Sequence, residues 1–148
     1  MAAGDITTCV FCEIVAGRAP AERIAENDQA LAVLDIQPFA AGHTLILSKR
    51  HVAWWHELSP EDAAGVFRLA HEVAHRLGAA FEPEFVAMYA RGRRIPHTHI
   101  FLVPTIRGDV LDRFFNGLEK VQETSEELSA LRETAEREKA VKRIKDVS

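Results

Sequence analysis

The sequence predicts an α+β domain: an antiparallel five-stranded sheet with one packed helix, followed by a charged C-terminal helix. The first observation is the order of the elements, which reads strand, strand, strand, helix, strand, strand. The second is a clear helix start before one long amphipathic segment. The third is that 148 residues, 47% hydrophobic and 27% charged, fit one globular domain of ordinary size.

Five short apolar segments carry the strand signals. The weakest, Glu22 to Ala25, is expected to pair with the segment after it through a turn at Asn27 and Asp28. The four stronger segments are Ala30 to Ile36, His43 to Ser48, Glu84 to Tyr89, and His97 to Val103.

The helix between the third and fourth strands has a defined beginning. The segment Ser59-Pro60-Glu61-Asp62 supplies an N-cap, a proline at the first helical position and an acid three residues after the cap. An apolar stripe at helical spacing follows and predicts the face that packs on the sheet; its members are Val66, Ala70, Val73 and Leu77.

The tail differs from the rest, and we predict a domain at 1–118 and a charged helical extension at 119–148. The tail holds eight acidic and seven basic residues. Thr124-Ser125-Glu126-Glu127 resembles a capping box, and Leu128, Leu131 and Ala135 follow on one face. We expect a helix that docks or pairs near its start and frays toward its end; the alternative is a solvated helix without function.

Composition and charge exclude several classes of protein. The net charge of −4 offers no general attraction for nucleic acid or an anionic membrane surface. No apolar run approaches the roughly 18 residues that a membrane helix needs, and the segment from Met1 to Thr8 lacks the features of a signal peptide. We therefore expect a cytoplasmic protein without nucleic-acid or membrane partners.

Cys9 and Cys12 form the first chemical hint. Two cysteines are too few for a disulfide framework, so the pair is either a metal clamp or a redox dithiol. The redox alternative is weaker because no strand-to-helix pattern of the thioredoxin type precedes the pair. Seven histidines offer further metal ligands.

His97-Thr98-His99 forms the second hint. Side chains alternate along a strand, so His97, His99 and Phe101 are expected on one face, with the two imidazoles roughly 6.6–7 Å apart. Such spacing alone is more typical of structural histidines than of a reactive site.

A competing motif, H-E-x-x-H, runs from His71 to His75 and matches the zinc-protease pattern. Its face lies opposite the apolar stripe of the helix, and the third ligand of the longer protease motif would fall on Phe81. The sequence therefore favours an exposed histidine pair over a protease.

Four stretches, in this order and spacing, resemble the histidine triad (HIT) family of nucleotide hydrolases and transferases. They are CVFCEIVAG from Cys9, AVLDIQP from Ala32, GHTLILSKRH from Gly42 and PHTH from Pro96. The resemblance implies a small α+β domain that forms a homodimer and binds a nucleotide or other phosphorylated small molecule against its sheet. It also implies that the middle histidine of the triad attacks the α-phosphate and forms a covalent nucleotidyl-histidine intermediate.

The resemblance assigns roles by position. His99 corresponds to the nucleophile and Asp35 to the acid that accepts hydrogen bonds from the ribose hydroxyls. An apolar slot for the base is implied for Phe11, Ile14, Val33 and Ile36. A structural zinc site is implied for Cys9, Cys12, His51 and His97, since two thiolates and two imidazoles complete a tetrahedral shell.

The chain departs from the family pattern at two places. Phe101 stands at the third triad position and can neither donate to a phosphate oxygen nor relay a proton. The nucleotide-binding loop before the triad contains Gly92, Arg93 and Arg94, with Arg93 where the family has glutamine. One hypothesis is that Arg91, Arg93 and Arg94 grip a more highly charged substrate; the alternative is a solvated turn.

These departures leave three functional hypotheses. The first is a HIT-type hydrolase or nucleotidyl transferase with His99 as nucleophile. The second is a catalytically weakened nucleotide-binding protein, which Phe101 favours. The third is a HIT fold recruited to a different phosphorylated substrate, which the altered loop permits.

Overall fold

The computed structural model describes residues 9–147 and divides the chain into two compact units, one ending at Arg107 and the other starting at Gly108. The segment Met1 to Thr8, for which the sequence predicts no signal peptide, lies outside the described residues. Among the helices of residues 9–147, none has the length and apolar character needed to cross a membrane.

The first unit is built on a five-stranded antiparallel sheet, as the sequence predicts. Across the sheet the strands follow the order first, second, third, fifth and fourth along the chain, which the sequence analysis did not predict. Asn27 forms the turn between the first two strands, because its Oδ1 accepts hydrogen bonds from the amides of Gln29 (2.9 Å) and Ala30 (2.8 Å). The strands are β1 (Arg23–Glu26), β2 (Ala30–Leu34), β3 (Thr44–Ser48), β4 (Phe85–Tyr89) and β5 (His99–Thr105).

The last strand begins two residues later than predicted. The amide of His97 donates to the carbonyl of Ile95 at 2.8 Å, and that of Thr98 donates to the carbonyl of Val52 at 2.7 Å. The chain is therefore bent at His97, and the regular ladder begins at His99, opposite Leu47 of β3.

One face of the sheet is covered by α2 (Pro60–Phe81), which begins where the sequence predicts. The hydroxyl of Ser59 accepts from the amide of Asp62 at 3.1 Å, and Pro60 occupies the first turn. The whole predicted stripe is buried against the sheet, in a core formed by Val66, Leu69, Ala70, Val73, Leu77, Ala30, Ala32, Ile46, Ile100 and Leu102. A short 3₁₀ helix, Trp55–Glu57, precedes α2.

The opposite face of the sheet carries α1 (Val10–Val15), a helix that the sequence analysis did not predict. It has six residues, and its N-cap is Cys9, whose Sγ accepts from the amide of Cys12 at 3.4 Å. Two of its side chains close a second core on this face, which contains Phe11, Ile14, Leu31, Val33, Leu45 and Leu47.

The second unit contains α3 (Val110–Thr124), a 3₁₀ helix (Glu126–Arg132) and α4 (Thr134–Lys145). The capping box predicted at Thr124 is wrong, because Thr124 is the last residue of α3, its hydroxyl donates to the carbonyl of Lys120 at 2.7 Å, and a 3₁₀ helix follows. α3 instead begins at Asp109, whose carboxylate accepts from the amide of Asp112 at 2.8 Å. α4 stays helical through Lys145, where fraying was expected. The predicted limits 1–118 and 119–148 remain a prediction.

Candidate active site and metal centre

Two cysteines and two histidines converge beside the sheet. The donor atoms of Cys9, Cys12, His51 and His97 all lie within 4.8 Å of one another. Tetrahedral zinc, with Zn–S bonds of about 2.3 Å and Zn–N bonds of about 2.0–2.1 Å, places its donors about 3.3–3.8 Å apart. The Nδ1 of His97 lies 3.4 Å from Cys9 Sγ, 3.5 Å from Cys12 Sγ and 3.2 Å from His51 Nδ1, so the cluster fits zinc.

The fold brings the four ligands together from three segments. Cys9 and Cys12 are one turn apart at the start of α1. His51 follows β3 and His97 precedes β5; these strands are antiparallel neighbours, so the end of one lies beside the start of the other. The carbonyl of Val52 accepts from both the amide and the hydroxyl of Thr98, at 2.7 and 2.8 Å, which ties the two histidine segments together.

The environment of His97 suits a structural ligand. Its Nε2 donates to the carbonyl of Ser48 at 2.6 Å, which leaves the lone pair of Nδ1 facing the sulfurs. Burial lowers the pKa of His97 to about 4, so its ring is neutral at physiological pH. Two thiolates and two imidazoles leave zinc no open position, so a metal bound here braces the site rather than reacting.

The Cys12 thiol needs a bound metal in order to lose its proton at neutral pH. Burial, together with the hydrogen bond and charge of Cys9, raises the pKa of the Cys12 thiol to about 11. Without a metal the thiol therefore stays protonated at neutral pH. A reactive dithiol needs a lowered thiol pKa, so the metal-clamp alternative fits the structure better than the redox one.

His99 is the buried histidine next to this cluster. Its Nδ1 donates to the carbonyl of His97 at 2.7 Å, which fixes the tautomer and leaves the Nε2 lone pair available. Burial lowers the pKa of His99, while the hydrogen bond to His97 and the charge of Asp35 oppose the shift. The imidazole is therefore held neutral, the form required of a nucleophile.

Gly92 packs against the edge of the His99 ring that carries Nε2. A Cβ at this position would lie 2.0 Å from Cε1 and 2.2 Å from Nε2 of the imidazole. A small cavity beside the two residues is further lined by Trp54 and Trp55. Only glycine at position 92 leaves room for the His99 ring in this arrangement.

The predicted base slot is brought together only in part. Phe11, Ile14 and Val33 lie in one buried cluster, and the ring of Phe11 contacts His99 edge-on at 4.9 Å between centroids. Ile36 is 93% exposed and does not join them. The strand ends before it, because the amide of Gln37 turns back to the carboxylate of Asp35 at 2.8 Å.

Asp35 stands beside a buried histidine to which the sequence analysis gave no role in the site. His43 Nδ1 accepts from the amide of Phe39 at 3.1 Å, so the proton is on Nε2. That Nε2 lies 3.4 Å from Asp35 Oδ2 without the geometry of a hydrogen bond, and it has no hydrogen-bond partner among the described residues. Burial lowers the pKa of His43, and the charge of Asp35 only partly offsets this.

Phe101 occupies the third triad position on the same sheet face as His99. Its ring lies 5.1 Å from His99 and 5.7 Å from His43, between the two imidazoles. Tyr89 is directly opposite on β4 and stacks on it at 4.7 Å with an interplanar angle of 8°. The sequence analysis missed Tyr89; the signal was its register across from Phe101, which appears only once the strands are paired.

The other candidates lie at the surface. Arg91, Arg93 and Arg94 are exposed, so their substrate-gripping role stays a prediction. His71 and His75 form an exposed edge-to-face pair at 4.7 Å. Among residues 9–147, the cysteine–histidine cluster is the one group of three or more potential metal ligands, so the zinc-protease motif finds no third ligand.

Comparison with known proteins agrees with this geometry. A family model described as the HIT domain matches residues 16–108. The chain belongs to the HIT domain family. The two cysteine ligands, Cys9 and Cys12, lie before the matched span, while His51, His97 and His99 lie within it.

Two relatives and one solved structure show in more detail what this HIT protein is similar to. It is 38% identical over 108 residues to an uncharacterized HIT-like protein of Mycobacterium tuberculosis, covering 70% of this chain and 75% of the relative. It is 36% identical over 102 residues to the adenosine 5'-monophosphoramidase hnt1 of Schizosaccharomyces pombe, covering 66% and 74%. A zinc-bound histidine triad family protein from Mycobacterium smegmatis superimposes with a TM-score of 0.65 at 28% identity, covering 79% of this chain and 99% of that structure.

Proposed function

We propose that this HIT protein is a hydrolase or nucleotidyl transferase that acts at a nucleotide α-phosphate, with His99 as the nucleophile. The observation that carries the proposal is the hydrogen bond from His99 Nδ1 to the carbonyl of His97. It directs the unprotonated Nε2 away from the backbone, and burial keeps the ring neutral. The name of the fission yeast relative supports an adenosine phosphoramidate as the first substrate to test.

The proposed reaction has two steps. His99 Nε2 attacks the α-phosphorus, a P–N bond to His99 forms, and the P–N bond to the leaving amine breaks as that amine takes a proton from solvent. Water then attacks the phosphorus, the bond to Nε2 breaks, and a proton returns to solvent. The products are the nucleoside monophosphate, the free amine and neutral His99. Asp35 orients the nucleotide by accepting from the ribose hydroxyls.

Covalent trapping tests this proposal. The protein is incubated with adenosine 5'-monophosphoramidate, quenched under alkaline denaturing conditions and examined by intact mass and peptide mapping. We expect an adenylyl group on His99 and free AMP in solution. His99→Gln is expected to lose at least about 1,000-fold in turnover. His71→Gln, on the exposed face of α2, is the matched control and retains wild-type turnover. An adduct on another residue, or unchanged turnover of His99→Gln, contradicts the mechanism.

Phe101 favours a second candidate, a nucleotide-binding protein with little turnover. A phenyl ring stands where the family has the third histidine, and it cannot carry a proton to the leaving group. Binding of AMP without adduct or release supports this candidate. For either candidate function we propose a homodimer in the cytoplasm. Sedimentation velocity tests whether the protein is a dimer.

The arginine loop is tested separately. If Arg93 and Arg94 grip the substrate, the double substitution to alanine weakens binding, and more strongly for ADP than for AMP because the extra phosphate adds charge. Titration of both nucleotides into the wild type and the double variant measures this. Equal affinities would assign the two arginines to a solvated turn.

A further inference from the structure

Two buried hydroxyl groups hold the backbone on either side of His51, one of the four metal ligands. The hydroxyl of Ser48 donates to the carbonyl of Arg50 at 2.8 Å. The hydroxyl of Thr98 donates to the carbonyl of Val52, also at 2.8 Å. These carbonyls belong to the residues immediately before and after the ligand, so both peptide groups that flank it are held in place.

The same two residues also hold His97, the second histidine ligand. Thr98 follows His97 directly in the chain, and the carbonyl of Ser48 accepts from His97 Nε2 at 2.6 Å. The amide of Ser48 donates to the carbonyl of Thr98 at 3.1 Å, which joins the two residues to each other. Ser48 therefore acts on both histidine ligands, through its hydroxyl on one and through its carbonyl on the other.

The ligand segment, residues 50–52, has no regular secondary structure of its own. Ser48 is fully buried and Thr98 is 2% exposed, so water does not compete for their hydroxyls. Without these two hydrogen bonds the segment would have to become ordered when the metal binds. The entropy lost in that ordering would reduce the free energy of metal binding.

We propose that Ser48 and Thr98 are positioning residues that hold His51 and His97 in place for the metal before it binds. The hydroxyls are not ligands themselves; they act on the backbone that carries the ligands. His51 Nδ1 and His97 Nδ1 lie 3.2 Å apart, close to the spacing of two ligands on one tetrahedral ion. The inference concerns the metal site, so it does not depend on the proposed role of His99.

Four variants separate the loss of a hydroxyl from a general loss of stability. Ser48→Ala and Thr98→Val each remove one hydroxyl, and Thr98→Val keeps the branched shape of the side chain. Thr98→Ser keeps the hydroxyl and is the conservative rescue. Thr44→Val is the matched control, because Thr44 is buried at the other end of β3 and its hydroxyl also donates to a backbone carbonyl, that of Gly42, at 2.8 Å.

The Kd of zinc is measured for the full chain and for each variant. The metal is first removed, and zinc is then titrated in competition with a chromophoric chelator. Thermal unfolding of the metal-free proteins shows how much stability each substitution removes. A purely structural role lowers that stability without a matching change in the Kd of zinc.

We expect Ser48→Ala to weaken zinc binding by about 10- to 100-fold, the usual cost of losing a group that orients a metal ligand. Thr98→Val should lie near the lower end of this range, because the Thr98 amide still donates to the carbonyl of Val52 at 2.7 Å. Thr98→Ser and Thr44→Val should keep the wild-type Kd, even where the metal-free form of Thr44→Val is less stable.

Two results would overturn the inference. The first is a zinc Kd of Ser48→Ala and Thr98→Val equal to that of Thr44→Val. The second is a Thr98→Ser protein that binds zinc as weakly as Thr98→Val, since the hydroxyl would then not be the group that matters. If Ser48→Ala does not fold, the two Thr98 variants decide the question. Wild type that binds no zinc contradicts the metal site and the inference together, whereas the His99 adduct tests the proposed function independently.

Discussion

Replacing Gly92 with alanine would place a methyl group inside the ring of His99. The added Cβ would lie 2.0 Å from Cε1 and 2.2 Å from Nε2, whereas carbon contacts in proteins are about 3.5–4.0 Å. Relief requires a shift of more than 1 Å by the loop or the imidazole. The imidazole resists, because its Nδ1 is bonded to the carbonyl of His97 at 2.7 Å and its ring packs on Phe11.

A misplacement of about 1 Å at the nucleophile costs about 100-fold in rate. We therefore expect adenylylation of His99 in Gly92→Ala to slow by about 100-fold, measured by rapid quench with adenosine 5'-monophosphoramidate. The free energy of unfolding should fall by only about 1–3 kcal/mol, the usual cost of one added methyl group in a packed site.

Gly78→Ala is the matched control, because a Cβ there meets no atom within 4 Å and the position is helical. It should keep the wild-type rate and gain about 0.5–1 kcal/mol of stability. A Gly92→Ala protein that adenylylates at the wild-type rate would show that the loop moves freely. The close packing of Gly92 on His99 would then have no effect on the rate of adenylylation.

Three further predictions concern the metal, the third triad position and pH. If the concentration of free zinc is about 100 times its Kd, removing the zinc with a chelator should lower the free energy of unfolding by about 2.7 kcal/mol. In a thermal melt, the chelator should have no effect on Cys12→Ser. Phe101→His offers a partner to His43 Nε2, which has none in the part of the chain that the structure describes, and adds a proton carrier to the site. Turnover should therefore rise by about 10- to 100-fold in the phosphoramidate assay. No gain would mean that the lack of a third histidine does not limit turnover. Burial lowers the pKa of His43 below its usual 6.5, so the folded protein binds fewer protons than the unfolded chain below about pH 6.5. The free energy of unfolding should therefore fall as the pH falls through that range, and urea titrations of His43→Gln should show a shallower fall than wild type.

The sequence predicts the sheet and α2 well because their signals are local. The N-cap at Ser59 and the apolar stripe from Val66 need no information from the rest of the chain. α1 was not predicted, because six residues are too few to show a helical pattern of apolar side chains and because its N-cap is a cysteine. The capping box at Thr124 failed for the opposite reason: the local pattern is present, but Thr124 ends α3 and a 3₁₀ helix follows it.

The residues of the candidate site were also predicted where the signal lies in the sequence itself, and missed where it depends on the folded chain. The resemblance supplied the metal ligands, and the fold brings all four to one point. Ile36 could not be judged from sequence, because its exposure depends on the turn that Asp35 makes with Gln37. Tyr89 was invisible for a related reason: its neighbour Phe101 is opposite it across two strands, and no spacing along the chain encodes that register.

Phe101, Tyr89 and His43 are best understood as one change rather than three. A histidine at position 101 would lie close to the ring of His43, whereas with phenylalanine there His43 Nε2 has no hydrogen-bond partner among residues 9–147 and Tyr89 stacks on the phenyl ring. The site thereby exchanges a proton carrier for a fixed aromatic platform beside Asp35. Under the proposed mechanism, loss of the carrier is expected to lower the rate of the chemical step. Phe101→His is therefore expected to return the carrier to the site and, with it, to raise the rate of the chemical step.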